Sequence, residues 1–241
     1  MSDQSNQQNP FTTRRFIVAV VAVGIIAICA VIVIVSNLTG GGKASPTTAA
    51  NTPSAGPVDA DPSACGLSGA TNSGTLSEAP KTVWVLFGRF AVPNDPKSFG
   101  PGHIASNGVR TCYAHNQTGV LYATANLIGM GTDKTIAVDV IKAMVEPGPG
   151  RDAAIAAAQT SAGGSATLTF QVAGFKINSY DGRNASIDIA LHSSDNSYVS
   201  LVYDWEWKDG DWKGILTSAG QPRVAPAQIS SLGGYIPWAG A

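Results

Sequence analysis

The 241-residue chain carries 15 Lys and Arg against 16 Asp and Glu, and charged residues make up only 13% of it. A balance of that kind provides no basic stripe for a phosphate backbone, so a nucleic-acid groove is excluded as the organising function. The three cysteines are Cys29, Cys65 and Cys112.

In chain order, the first predicted element is Phe16 to Val35, twenty residues without a charge, an amide or a proline. As a helix they would reach about 30 Å, the hydrocarbon thickness of a bilayer, and residues 16–36 are expected to cross one. Arg14 and Arg15 abut the run, whereas Lys43 is the first charge after it. That bias places residues 1–15 in the cytoplasm and the rest outside the cell. A cleaved signal peptide is the competing reading. It is disfavoured because the run exceeds a signal core and no small-x-small site follows Val35 directly. Residues 37–63 read as a flexible spacer, since Thr39 to Ser63 holds four Gly, four Pro and otherwise mostly Ser, Thr and Ala.

Residues 64–241 are long enough for one domain with a single core. With Cys29 inside the apolar run, Cys65 and Cys112 remain as the pair outside it. A disulfide is the expectation in an oxidising compartment, with two buried thiols as the alternative. Thr82 to Phe87 reads as a short strand, and Pro93, Pro96, Gly100, Pro101 and Gly102 then predict an irregular loop. A helix is expected from Thr118, with Val120, Leu121, Ala123, Thr124, Leu127 and Ile128 at helical spacing and Asn116 or Thr118 as cap. A second follows from Asp133, with Ile136, Val140, Ile141 and Met144 on one face, and a third, alanine-rich surface helix spans Arg151 to Thr160.

The period then changes from 3.6 to 2. Leu168, Phe170 and Val172 open a strand that runs on through Phe175 and Ile177. Ile187, Ile189 and Leu191 mark the next. Val199, Leu201, Tyr203, Trp205 and Trp207 mark a third, and Asp209-Gly210 turns the chain back into Trp212 to Thr217. The expected fold class is therefore α+β, with helices packed on a curved four-stranded antiparallel sheet, preceded by a transmembrane helix and a linker.

Helices followed by a sheet ending in Tyr203-Asp204-Trp205-Glu206-Trp207-Lys208-Asp209-Gly210-Asp211-Trp212 resemble the nuclear transport factor 2-like cone fold. Single-span proteins with that fold include assembly components of type IV secretion and conjugation machines. Tyr113-Ala114-His115-Asn116-Gln117-Thr118-Gly119 and the terminal Leu232-Gly233-Gly234-Tyr235-Ile236-Pro237-Trp238 also resemble an actinobacterial family of membrane-anchored domains. The resemblance implies a contact-making subunit of an envelope or transfer complex, with homo-oligomers among its assemblies, more than it implies a catalyst.

The chemistry-bearing residues are sparse. His103, His115 and His192 lie far apart, and Cys112 with His115 is too small a set for a metal site, so no metal and no cofactor is expected. Asp204 and Glu206 point to one face of a strand, where two carboxylates can act as acid and base. Their alternation with aromatic residues instead makes them its solvated side. Asp188 and His192 are further candidates without a spacing that fixes a dyad. Trp205, Trp207 and Trp212 are expected to complete the core, with an exposed binding platform as the alternative, and Tyr235 and Trp238 either dock on their own domain or engage a partner. Three functions follow: a non-enzymatic scaffold or assembly subunit, a small-ligand binder or enzyme using the cone's cavity, and a stand-alone surface binding module.

Overall fold

The computed structural model describes residues 62–160 and 169–240. The expected membrane helix at 16–36 and all of the spacer except Pro62 and Ser63 lie outside the described residues, as do Leu168 and the glycine-rich stretch before it. Among the described residues no helix is long and apolar enough to cross a membrane.

The body opens with a hairpin of β1 (Trp84–Phe87) and β2 (Phe90–Pro93), followed by a two-residue ladder of β3 (His103–Ile104) and β4 (Arg110–Thr111) inside the predicted irregular loop. Helix α1 (Gln117–Met130) comes next, and every one of its residues is buried. Asn116 caps it, its Oδ1 accepting the Gly119 N–H at 2.8 Å. Its small residues allow the backbone to approach its neighbours. A Cβ at Gly119 would collide with the Ala114 carbonyl, and one at Gly129 with Val92.

Helix α2 (Ala137–Met144) buries Ala137, Val140, Ile141 and Met144 as the periodicity predicts, but it starts later than expected. Asp133 holds a turn ahead of it, accepting from the N–H and hydroxyl of Thr135, and Ile136 stands at the N-cap without a side-chain bond. Helix α3 (Pro149–Thr160) uses Pro149 in its first turn and is largely peripheral, with Gly150 and Ala154 buried.

The expected four-stranded sheet is corrected to six strands. The long strands β5 (Phe170–Tyr180), β6 (Asn184–Ser193) and β7 (Tyr198–Lys208) and the shorter β8 (Asp211–Ile215) form the anticipated antiparallel series. Strands β9 (Ala227–Ile229) and β10 (Ile236–Pro237) are added from the C-terminal segment. The physical reason is an open edge on each side. The five-residue β8 covers only the second half of β7, from Asp204 to Lys208, and β9 pairs with Tyr198, Val199 and Ser200 of the first half. On the opposite side β10 pairs with Gly174 and Phe175 of β5. Strands of two or three residues carry no alternation that a sequence pattern can register.

One face of this sheet carries Ile187, Ile189, Leu201, Tyr203, Trp205 and Trp207, which join α1 and α2 in a single core. The other face carries Ser186, Asp188, Ser200, Asp204 and Glu206, and no helix of the described residues packs on it. Asp209 and Gly210 both have positive φ (52° and 74°), as a type I′ turn requires, and they send the chain from β7 into β8.

Candidate functional site

Two polar regions occupy opposite ends of the β7–β8 hairpin. At the turn end, the entering chain is fastened down. Cys65 and Cys112 form a disulfide, the Ala64 N–H donates to the Gly210 carbonyl at 2.8 Å, and Ser63, which the sequence placed in the spacer, is already buried. Cys112 sits in the left-handed region (φ 64°), a conformation that a side chain disfavours. Asp211 holds it there. Its carboxylate accepts the N–H groups of Cys112, Tyr113 and Trp212 at 2.9, 3.0 and 2.9 Å. Burial pushes the Asp211 carboxyl above its usual range, outweighing Lys213 and the three N–H donors that favour the anion.

The rest of this end is equally saturated. Trp212 Nε1 donates to the Ala114 carbonyl at 3.0 Å, and the His115 ring stacks on Trp207 at 4.0 Å while its Nε2 bonds the Gly182 carbonyl. The segment after Cys65 is then laid across the start of α1. Thr71 N–H bonds the His115 carbonyl, Asn116 Nδ2 the Gly69 carbonyl, and Gln117 Nε2 the Ser73 carbonyl. Tyr180, whose hydroxyl burial pushes up to about 12, donates to the Thr71 carbonyl.

At the other end lies an open groove of about 480 Å³ on the helix-free face. Its floor is a row across four strands, because Ser179 of β5 pairs with Ser186 of β6, Ser186 with Asp204 of β7, and Asp204 with Ile215 of β8. Ser179 reaches this row through a bulge. The register of β5 shifts between Ile177 and Ser179, so that a residue that strict alternation would turn elsewhere lands beside Ser186. The wall is Arg223, whose guanidinium grips Asp204 with two bonds, Nε to Oδ2 at 2.9 Å and Nη2 to Oδ1 at 3.1 Å. The loop bearing Arg223 rests on α3. A Cβ at Gly150 would run into the carbonyls of Leu216 and Thr217, and one at Gly220 (φ 78°) into the backbone of Ala154.

The structure places the sequence-predicted candidates as follows. Trp205, Trp207 and Trp212 are buried, which corrects the alternative of an exposed platform, since each faces the helices and belongs to the core. Trp238 docks on its own domain, with its Nε1 on Thr82 Oγ1 at 2.9 Å and its ring against Trp84, Tyr122 and Phe175. Tyr235 crosses the sheet on the opposite side. Its hydroxyl donates to Asp188 at 2.8 Å and Lys176 Nζ stands 3.7 Å from its ring centroid, while burial pushes its pKa up to about 12.

Asp188 also accepts from Ser200 at 2.7 Å, Glu206 pairs with Arg183 at 3.6 Å, and His192 stacks on Tyr198. His103 lies on β3 and exposed, far from the other two histidines in the chain and joined with them in no cluster. No group of three His, Cys, Asp or Glu capable of holding a metal occurs among the described residues. Asp188, Asp204 and Glu206 thus face away from the core rather than into a cavity beneath the helices. Of the groove residues, Ser179 and Arg223 were not singled out from the sequence. Only the pairing register brings the serines together, and Arg223 comes from a loop.

A family model described as "Domain of unknown function (DUF8175)" matches residues 44–237. The chain belongs to that family. No curated protein and no solved structure matches it. The DUF8175 match takes in the fastened entry segment, the whole groove and β10, so both ends of the hairpin fall within the family's span.

Proposed function

We propose that this DUF8175 protein is a membrane-anchored, non-enzymatic scaffold or assembly subunit of a cell-envelope complex, with its folded body outside the cytoplasm. The observation that carries the reading is the fate of the carboxylates that could have done acid–base work. Asp188 is held by Ser200 and Tyr235, Asp204 by Arg223, Glu206 by Arg183 and Asp211 by three backbone N–H groups. Each is engaged by a group of the chain itself, and what the body turns outward is surface for contact.

The address is supported by the twenty-residue apolar run behind Arg14 and Arg15, and by a Cys65–Cys112 disulfide of the kind that persists in oxidising compartments. A conjugative or type IV-like transfer apparatus is the complex we put forward, on the resemblance of an anchor and spacer followed by helices and then a sheet. Crosslinking of intact cells followed by gentle membrane extraction should recover other envelope proteins with the chain. Recovery of the chain alone, or undiminished transfer of a conjugative element after deletion of the gene, would overturn the assembly role. Protease added to intact cells should cut the spacer, and protection there would overturn the address.

A further inference from the structure

The geometry points to the groove on the helix-free face as a binding site for a neutral polyhydroxylated chain, that is, an oligosaccharide segment of the envelope. Three features of the groove carry this. The first is an unanswered hydroxyl. Ser186 is only 9% exposed, lies in the floor of the groove, and takes no hydrogen-bond partner among the described residues. Its cross-strand neighbour Ser179 takes none either. The Ser186 Oγ opens onto the groove, where a ligand hydroxyl would take the place of water as its donor or acceptor.

The second feature is charge. Asp204 and Arg223 cancel each other inside the groove, so an anionic ligand would meet the carboxylate and a cationic one the guanidinium. Neither ion is exhausted by the pair. A carboxylate has about four acceptor positions and a guanidinium five N–H donors, of which the bidentate contact uses two on each side. Acceptors and donors therefore remain for neutral hydroxyls.

The third is shape. The row Ser179, Ser186, Asp204 places polar groups on neighbouring strands at intervals of about 4.8 Å, and it ends on Ile215, which is 37% exposed and offers an aliphatic surface to C–H groups. Alternating hydroxyl partners with one apolar wall suit a sugar, whose ring presents both. The row runs across four strands in an open groove rather than an enclosed cavity, which suits a chain rather than a single small molecule. Asn184, on the same face beside Ser186, adds an amide at the margin.

The inference rests on the proposed extracytoplasmic location only for the source of the saccharide, and binding is measured without reference to location. The full chain, purified in lauryldimethylamine oxide so that no sugar-headed detergent competes, is titrated calorimetrically with chitotetraose, cellotetraose, maltotetraose and mannotetraose. At least one is expected to bind. Ser186→Ala, which deletes a hydroxyl with no internal partner, and Arg223→Gln, whose side chain is 72% exposed, should each weaken that binding by about tenfold, the loss of one hydrogen bond to ligand. Ser98→Ala on a remote loop should bind as the parent does. Failure of all four saccharides to bind, or equal affinity of the parent, Ser186→Ala and Arg223→Gln, overturns the site and leaves the envelope address untouched.

Discussion

Asp211 and Asp204 sit at opposite ends of one hairpin and are used in opposite ways. Asp211 is 5% exposed and spends its carboxylate on three backbone N–H groups, one of them from a residue in the left-handed region. Asp204 lies half-buried on the helix-free side and is matched by a single arginine from a loop, whose side chain is 72% exposed. Around Asp211 every neighbour is answered, by the disulfide, by Trp212 on Ala114 and by His115 on Trp207. Around Asp204 two serine hydroxyls take no partner among the described residues. The same residue type thus serves as a structural clamp where the chain closes over it, and as part of a recognition surface where the chain leaves it open.

The comparison breaks most visibly at the clamp. Replacing Cys65 and Cys112 together by Ser opens a loop with a sequence separation of 47, which in the chain-entropy account costs about 4 kcal/mol, read as a lower denaturant midpoint with little change in the groove's affinity. Asp211→Ala strands three N–H groups, at least two of them in a buried loop, and should cost about 3 kcal/mol by the same measurement. The protonation of Asp211 sharpens the point. Because burial raises its folded pKa, the folded state holds more protons than the unfolded state between the ordinary carboxylate value, about 3.9, and the raised one. Stability linked to this group therefore falls as pH rises through that window and is flat above it. Asp211→Asn should lack that component. Subtracting its pH profile of unfolding free energy from the parent's should leave a difference that grows on acidification, and a flat difference would remove Asp211 from the account.

Much of the clamp's scaffold was legible in the sequence, and the groove was not. Asn116 as cap, Asp209-Gly210 as turn and the aromatic side of β7 are local signals, each set by a few consecutive residues. The pairing of Cys65 with Cys112 followed from having no other partner outside the apolar run. The groove depends on quantities that no local pattern holds. A bulge at one position of β5 decides that Ser179 stands beside Ser186, and the register of three strand pairs aligns both with Asp204 and Ile215. Arg223 arrives from a loop whose path is fixed by close backbone contact with α3, at Gly150 of the helix and at Gly220 of the loop. The two short strands escaped for a related reason, since β9 and β10 exist because β7 and β5 have open edges, not because Ala227–Ile229 or Ile236–Pro237 prefer to be extended.

At the groove end the expected effects on stability are small, and their smallness is what separates it from the clamp. Asp204→Ala removes one partner of a pair whose arginine is 72% exposed, so the loss should stay below about 1 kcal/mol, against about 3 for the aspartate at the other end. Ser186→Ala is the finest probe. If the hydroxyl were part of the folded structure's own bonding, as the Asp211 carboxylate is, its deletion from a site only 9% exposed would cost an unmet partner as well as a bond. With no partner among the described residues to abandon and its Oγ open to the groove, deletion should leave stability within about 0.5 kcal/mol of the parent. Chemical unfolding of the two proteins side by side decides it. A loss above about 1 kcal/mol would mean that Ser186 is bonded inside the fold, and the distinction between the two ends of the hairpin would collapse.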